Sequence, residues 1–156
     1  LYGQFDNFHL TNGHVIPSLM HRFHLAKIKN LPKVEVWGSG EPLREFLHVD
    51  DLSDACLFIL QLPKSKYQKN TEKLLSHINI GSGNELRISE LVSMIKAEVG
   101  YEGDVVFNSD YPDGTPRKMI DSSKLMRLGW KPEINLKKGL HSTYEWFKEN
   151  FDSMRK

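Results

Sequence analysis

The chain has 156 residues, 39% hydrophobic and 26% charged, which fits one ordinary globular domain with a modest core. Its 21 basic and 20 acidic residues balance to +1 with no run of either sign, so nucleic acid and membrane surfaces are not expected as partners. A single cysteine excludes an internal disulfide and fits a reducing, cytoplasmic setting, and no apolar run approaches the roughly 20 residues that span a bilayer.

The chain starts in mid-motif at Leu1, so it is expected to be a piece of a longer protein. Residues 1–13 read as a loop rich in Gly, Asn and Asp. Val15, Ile16, Leu19, Met20 and Phe23 then form a stripe at helical spacing, with Pro17 tolerated in the first turn. Val34 to Trp37 alternates like a short strand closed by Gly38-Ser39-Gly40. Glu45 to Val49 reads as a second extended segment. Asp50 or Asp51 is the expected cap of a helix whose stripe is Leu52, Ala55, Cys56, Ile59 and Leu60.

Pro63 to Lys73 is polar and lysine-rich, and reads as a loop. His77 to Ile80 followed by Gly81-Ser82-Gly83 reads as strand and turn. The next helix carries Leu91, Val92, Ile95 and Val99 on one face. Val105 to Phe107 is a short strand and Asn108 to Lys118 a loop. Ser122 to Leu128 is a short helix ended by Gly129. A last helix, Leu136 to Phe151, buries Leu140, Tyr144 and Phe147. There is no internal repeat, and the alternation of helices and strands indicates an α/β fold.

Several patterns bear on chemistry. A dinucleotide fingerprint needs a third small residue after its two glycines. That place is Leu86 after Gly81-Ser82-Gly83 and Leu43 after Gly38-Ser39-Gly40, so neither turn is expected to cradle a nucleotide. Tyr144 and Lys148 have Tyr-x-x-x-Lys spacing, but Tyr144 lies on an apolar stripe and reads as a core tyrosine. His21 and His24 lack the carboxylate of a recognisable zinc pattern, and no metal site is expected. His14 sits at a loop-to-helix junction, where an imidazole could exchange protons or simply face solvent.

Trp37 and Arg44 flank a glycine turn. They suit a base or sugar face and a diphosphate respectively, or else a core tryptophan and a surface ion pair. Asp113-Gly114-Thr115-Pro116-Arg117-Lys118 is a turn that could bind a polar ligand or stay solvated. Cys56, inside an apolar stripe, reads as a small core residue.

Together these segments resemble GDP-L-fucose synthases, within the extended short-chain dehydrogenase/reductase family. The resemblance is carried by Leu1-Tyr2-Gly3, Asp6-Asn7-Phe8-His9, His14-Val15-Ile16-Pro17 and Val36-Trp37-Gly38-Ser39-Gly40. It continues through Arg44-Glu45-Phe46-Leu47-His48-Val49-Asp50-Asp51, Leu75-Ser76-His77-Ile78-Asn79, Pro112 to Lys118, and Leu128-Gly129-Trp130. It covers essentially the whole chain in order.

The resemblance implies an NADPH-dependent epimerase-reductase. Such an enzyme inverts C3 and C5 of GDP-4-keto-6-deoxy-D-mannose and reduces C4 to give GDP-L-fucose. By position, His14 is the acid/base residue and also lies near the cofactor, and Leu1 ends a segment that touches NADPH. Arg22, Trp37, Arg44, Asp113 and Lys118 resemble substrate-binding residues, with Arg22 and Arg44 on the diphosphate and Trp37 against the nucleotide sugar.

Residues 1–156 would then be the C-terminal substrate-binding region, with Arg44 to Leu60 and His77 to Ile80 helping to complete a Rossmann domain. The N-terminal Rossmann half, the catalytic serine, the Tyr-x-x-x-Lys pair and the acid/base cysteine are not found here. The chain alone is therefore expected neither to hold NADPH tightly nor to turn over. The full-length enzyme is expected to be a homodimer. Two alternatives stand beside this: a related GDP-keto-sugar enzyme such as one of GDP-colitose synthesis, and a non-catalytic nucleotide-sugar binder.

Overall fold

The structure is a computed structural model and describes residues 1–154. Its elements are α1 (Val15–Ile28), β1 (Lys33–Trp37), β2 (Leu43–Glu45), α2 (Val49–Gln61), α3 (Lys64–Lys69) and β3 (Glu85–Arg87). They continue with α4 (Ile88–Val99), β4 (Asp104–Asn108), β5 (Arg117–Lys118), α5 (Ser123–Leu128) and α6 (Leu136–Asn150). This is the α/β class expected. No helix among the described residues is long and apolar enough to cross a membrane.

The stripes of α1, α4 and α6 meet in the main apolar cluster. Phe8, Ile16, Met20, Phe23, Leu91, Ile95, Leu140 and Phe147 are fully buried there. β1 and β4 pair in parallel along their whole length, from Lys33↔Asp104 to Trp37↔Asn108, and send Val34 and Val36 inward. Alternation of period two in β1 is what lets this strand lie with one face on the helices and the other in solvent. Lys27 at the end of α1 donates to the Val99 carbonyl at 2.7 Å, tying the C-termini of α1 and α4 together.

A second, small sheet has the order β3-β2-β5. β2 is antiparallel to β3 and parallel to β5, with Arg44 registered opposite Leu86 on one side and Lys118 on the other. A second apolar cluster holds Leu47, Ala55, Leu125 and Trp130 as its buried members, with Leu52, Phe58, Ile59, Ile78 and Ile80 partly covered against them. Polar bonds brace this part. Asp51 is buried and accepts from the backbone amides of Glu133 and Ile134 at 3.0 and 3.1 Å. Trp130 donates its indole N–H to Asp54 at 2.8 Å.

Several local expectations are corrected. The extended segment is Leu43–Glu45, not Glu45 to Val49, because pairing with β5 ends at Arg44 and pairing with β3 at Glu45. His48, not Asp50 or Asp51, occupies the N-cap of α2, and its ring accepts from the Asp50 amide. Lys64–Lys69 is a short helix within the expected loop. His77 to Ile80 forms no strand, since no described strand lies alongside it. Arg117–Lys118, read as loop, pairs with β2. Cys56 is exposed, not core, because α2 turns only Asp51 and Ala55 fully inward.

Candidate functional site

A cavity of about 430 Å³ opens where the N-terminus of α1, the end of β1, the small sheet and the loop before β5 converge. Its lining includes Leu1, His14, Trp37, Arg44, Asp113 and Lys118. Six of the seven residues singled out from the sequence are therefore brought to one place. A larger cavity of about 630 Å³ lies between loop 5–12 and the end of α6, but none of those seven residues lines it. The smaller one gathers two cations and an aromatic face, and that convergence weighs more than size.

The small sheet explains the cations. Arg44 and Lys118 are Cα partners across the parallel β2–β5 pair, and both side chains reach the cavity. Like charges placed opposite each other in a sheet repel and are destabilising on their own. An anionic group bound between them removes that cost. Arg44 is braced by donating through Nη1 to the Leu43 carbonyl at 2.7 Å.

Asp113 is committed within the protein. Its two oxygens accept from the Ser39 amide at 2.9 Å and the Ser39 hydroxyl at 2.6 Å. These bonds, with Arg44 nearby, hold its carboxyl below the usual carboxylate range. Gly38 has φ of +85°, and a side chain there would run into Asp113, so only glycine lets the carboxylate approach this turn.

The second glycine turn is filled in the same way. Glu45 accepts from the Gly83 amide at 2.7 Å and from the Ile120 amide at 3.0 Å. In each turn one backbone amide, that of Ser39 or of Gly83, already donates to a carboxylate of the chain itself. Leu1 and His14, the two residues expected near the cofactor, both line the cavity.

Arg22 is not in the cavity lining. Its guanidinium donates through Nε and Nη2 to the Leu10 carbonyl at 3.1 and 2.9 Å, and lies 4.5 Å above the Trp37 ring. Burial lowers its pKa from the ordinary value, against the pull of Glu35 and Tyr111. Tyr111 stacks on Trp37 with ring centroids 4.7 Å apart. Trp37 is 43% exposed, so it is a cavity wall rather than a core residue.

The Tyr144–Lys148 pair has the wrong environment for proton transfer. Tyr144 is buried against His24, whose Nδ1 is 3.0 Å from the phenol oxygen. Burial first, then Glu145 and Glu98, push the phenol up, opposite to what a catalytic tyrosine needs. Lys148 pairs with Glu145 and lies 5.2 Å from the centre of the Tyr144 ring face, not at its hydroxyl. His21 is buried with Nδ1 2.7 Å from the Phe8 carbonyl oxygen, a structural contact. Glu98, His141 and Glu145 come close enough to share a metal ion, but none of them lines the cavity.

Sequence reasoning missed Ser39, Glu45 and Tyr111. Glu45 had the clearest signal, as the acid following Arg44, but its partners at 83 and 120 are distant in sequence.

The family model described as NAD dependent epimerase/dehydratase family matches residues 1–81. A GDP-L-fucose synthase of Escherichia coli (strain K12) is 53% identical over 99% of this chain and 48% of its own length. A putative GDP-L-fucose synthase 2 of Arabidopsis thaliana is 55% identical over 96% of this chain and 43% of its own. The structure of a GDP-L-fucose synthetase from Naegleria fowleri bound to NADP superposes with a TM-score of 0.86 at 28% identity, over 99% of this chain and 46% of that one. The chain thus spans about half the length of the relatives it matches.

Proposed function

The chain belongs to the NAD dependent epimerase/dehydratase family, and on that premise we propose that it is the C-terminal, substrate-binding half of a GDP-L-fucose synthase. The full-length enzyme would act in the cytoplasm as a homodimer. It would convert GDP-4-keto-6-deoxy-D-mannose to GDP-L-fucose by epimerisation at C3 and C5 and reduction at C4. The observation that carries this reading is the cavity itself, where registered Arg44 and Lys118 face Trp37, Asp113 and His14.

The roles follow from the chemistry of the side chains. Arg44 and Lys118 neutralise the diphosphate, the arginine as a planar fork and the lysine as a point charge. The exposed Trp37 ring offers a flat face to the nucleotide sugar, and Arg22 and Tyr111 keep that ring in place. Asp113, held by Ser39, fixes its loop at the cavity edge, with the lone pairs that Ser39 leaves free open to a sugar hydroxyl. The 4-keto group acidifies the C–H bonds at C3 and C5, so inversion needs a proton taken from one face of the sugar and one returned on the other. His14, on the cavity wall with Leu1, is one of the two exchanging groups, and the acid/base cysteine expected in the other half is the second. NADPH, when bound, supplies the hydride for C4, and its phosphates are held by the half of the enzyme beyond this chain.

The test uses the full-length enzyme with GDP-4-keto-6-deoxy-D-mannose in heavy water. We expect deuterium at C3 and C5 of the sugar, and GDP-L-fucose once NADPH is added. His14→Gln should lower the exchange by about 10²–10⁴-fold, the range of general acid–base catalysis. Exchange at the wild-type rate in that variant would remove His14 from the chemistry. Turnover by the 156-residue chain alone would remove the half-enzyme reading.

A further inference from the structure

His14 is tethered from behind. Its Nδ1 lies 3.3 Å from Asp6 Oδ1; the imidazole is 79% exposed and the carboxylate only 15%. His14 occupies the N-cap position of α1 without using its side chain as the cap, so the contact with Asp6 is what orients the ring. Because Nδ1 faces Asp6 while the ring lines the cavity, Nε2 is the nitrogen left for a ligand.

The loop that carries Asp6 is closed on itself. Asp6 Oδ1 also accepts from the Asn7 amide at 2.7 Å. Asn7 Nδ2 donates to the Asn12 carbonyl at 3.1 Å, and His9 Nδ1 accepts from the amides of Thr11 and Asn12 at 3.2 and 3.1 Å. The Gly13 amide donates to the His9 carbonyl at 3.0 Å. A side chain at Gly13 would run into the carbonyl oxygens of Asn7 and His9. The ring of hydrogen bonds therefore closes only with glycine just before His14. This short circuit brings two residues eight apart into contact and fixes the carboxylate before any ligand arrives.

Resting on the reading of His14 given above, we propose that Asp6 is its positioning residue, accepting a hydrogen bond from Nδ1–H and leaving Nε2 as the atom that exchanges a proton with the sugar ring on its own face. Asp6 lines the larger cavity beside α6 and not the one that holds His14, so it reaches a ligand there only through His14. When Nε2 takes a proton from carbon, the C–H electron pair passes into the enolate. The positive charge then falls on a ring whose other N–H already meets a carboxylate. When Nε2 gives a proton to the enolate carbon, the ring returns to the same neutral tautomer. A carboxylate in this place holds the tautomer and stabilises the imidazolium, which a neutral acceptor does less well.

Two measurements on the full-length enzyme test this separately from the reading it rests on. In alkaline buffer, the ¹⁵N spectrum of His14, assigned by its loss in His14→Gln, should report a neutral ring protonated on Nδ1. A ring protonated on Nε2 would overturn the proposal whatever the enzyme's activity. In the exchange assay, Asp6→Asn keeps an oxygen for the Asn7 amide but removes the charge. It should lower kcat by about 10–100-fold at unchanged KM. Added to His14→Gln it should cost nothing further, since both act through one group. A wild-type kcat in Asp6→Asn, a loss that appears in KM, or an additive loss in the double variant would each overturn it. His14→Gln exchanging at full rate would sink the assignment of His14 instead, and the ¹⁵N spectrum would still decide the contact.

Discussion

Phe147 and Leu125 are both fully buried, but their surroundings differ. Phe147 touches the rings of Phe8, His21, His24, Tyr144 and Phe151, inside a cluster closed by α1, α4 and α6 over β1 and β4. Leu125 sits with Leu47, Ala55 and Trp130 in a cluster whose neighbours stay partly open. Next to it, α2 leaves Leu57 and Leu60 56% and 80% exposed, and Leu74 is 93% exposed. One region completes its own core, and the other leaves an apolar side exposed. In a chain half as long as its relatives, this contrast marks which side faces the rest of the enzyme under the proposed reading.

The cavity draws on the closed region for its support. Val15 and Ile16 at the start of α1 and Trp37 at the end of β1 line it directly. The sharpest way to break the contrast is at Phe147. Phe147→Ala removes a large side chain from a packed site and should cost about 3–5 kcal/mol, read as a lower urea midpoint. A cost below about 1 kcal/mol would mean that this cluster is as loose as the other.

The closed region was also the legible one. The stripes of α4 and α6 have a clean helical period because each buries one face against partners in the same chain, while α1 is buried without a break from Ile16 to His21 and its stripe marks only the apolar part of that surface. The α2 stripe looked equally good, yet Cys56 and Leu60 are exposed, since periodicity reports a face meant for burial and not what covers it. The same reason explains His77 to Ile80, apolar and strand-like but without a strand beside it. β3 and β5 were illegible because they are three and two residues long and form only by pairing with β2. Of the six cavity-lining residues named from the sequence, Leu1 rested on family resemblance alone, while His14 and the turn with Asp113 and Lys118 had a chemical reading beside a bland one. Trp37 and Arg44 remained open on chemistry alone, and only register revealed that Arg44 faces Lys118.

A middle-sized effect is expected where polar bonds substitute for apolar closure. Asp51→Ala leaves the amides of Glu133 and Ile134 without their acceptor and should cost about 1–3 kcal/mol. The loss should be local. Hydrogen exchange should speed up in α2 and residues 131–135 while α4 and α6 stay protected. Equal acceleration in all four would show that the two regions unfold as one unit, and the contrast would have no energetic meaning.

The smallest effect sharpens the contrast most. Leu60 is 80% exposed, so Leu60→Ser removes little buried surface from this chain. Its stability should change by less than about 0.5 kcal/mol, the range of surface substitutions. Self-association of the chain should fall, because a side chain of an exposed apolar face has been made polar. In the full-length enzyme the outcome should reverse. If the missing half covers α2, the same substitution puts a hydroxyl into an apolar interface and should cost about 2 kcal/mol or more. Unfolding curves of both lengths, with and without Leu60→Ser, measure that difference. Equal costs in the two proteins would mean that α2 stays solvent-facing in the whole enzyme. The open cluster would then be a feature of this region itself and not the mark of a missing neighbour.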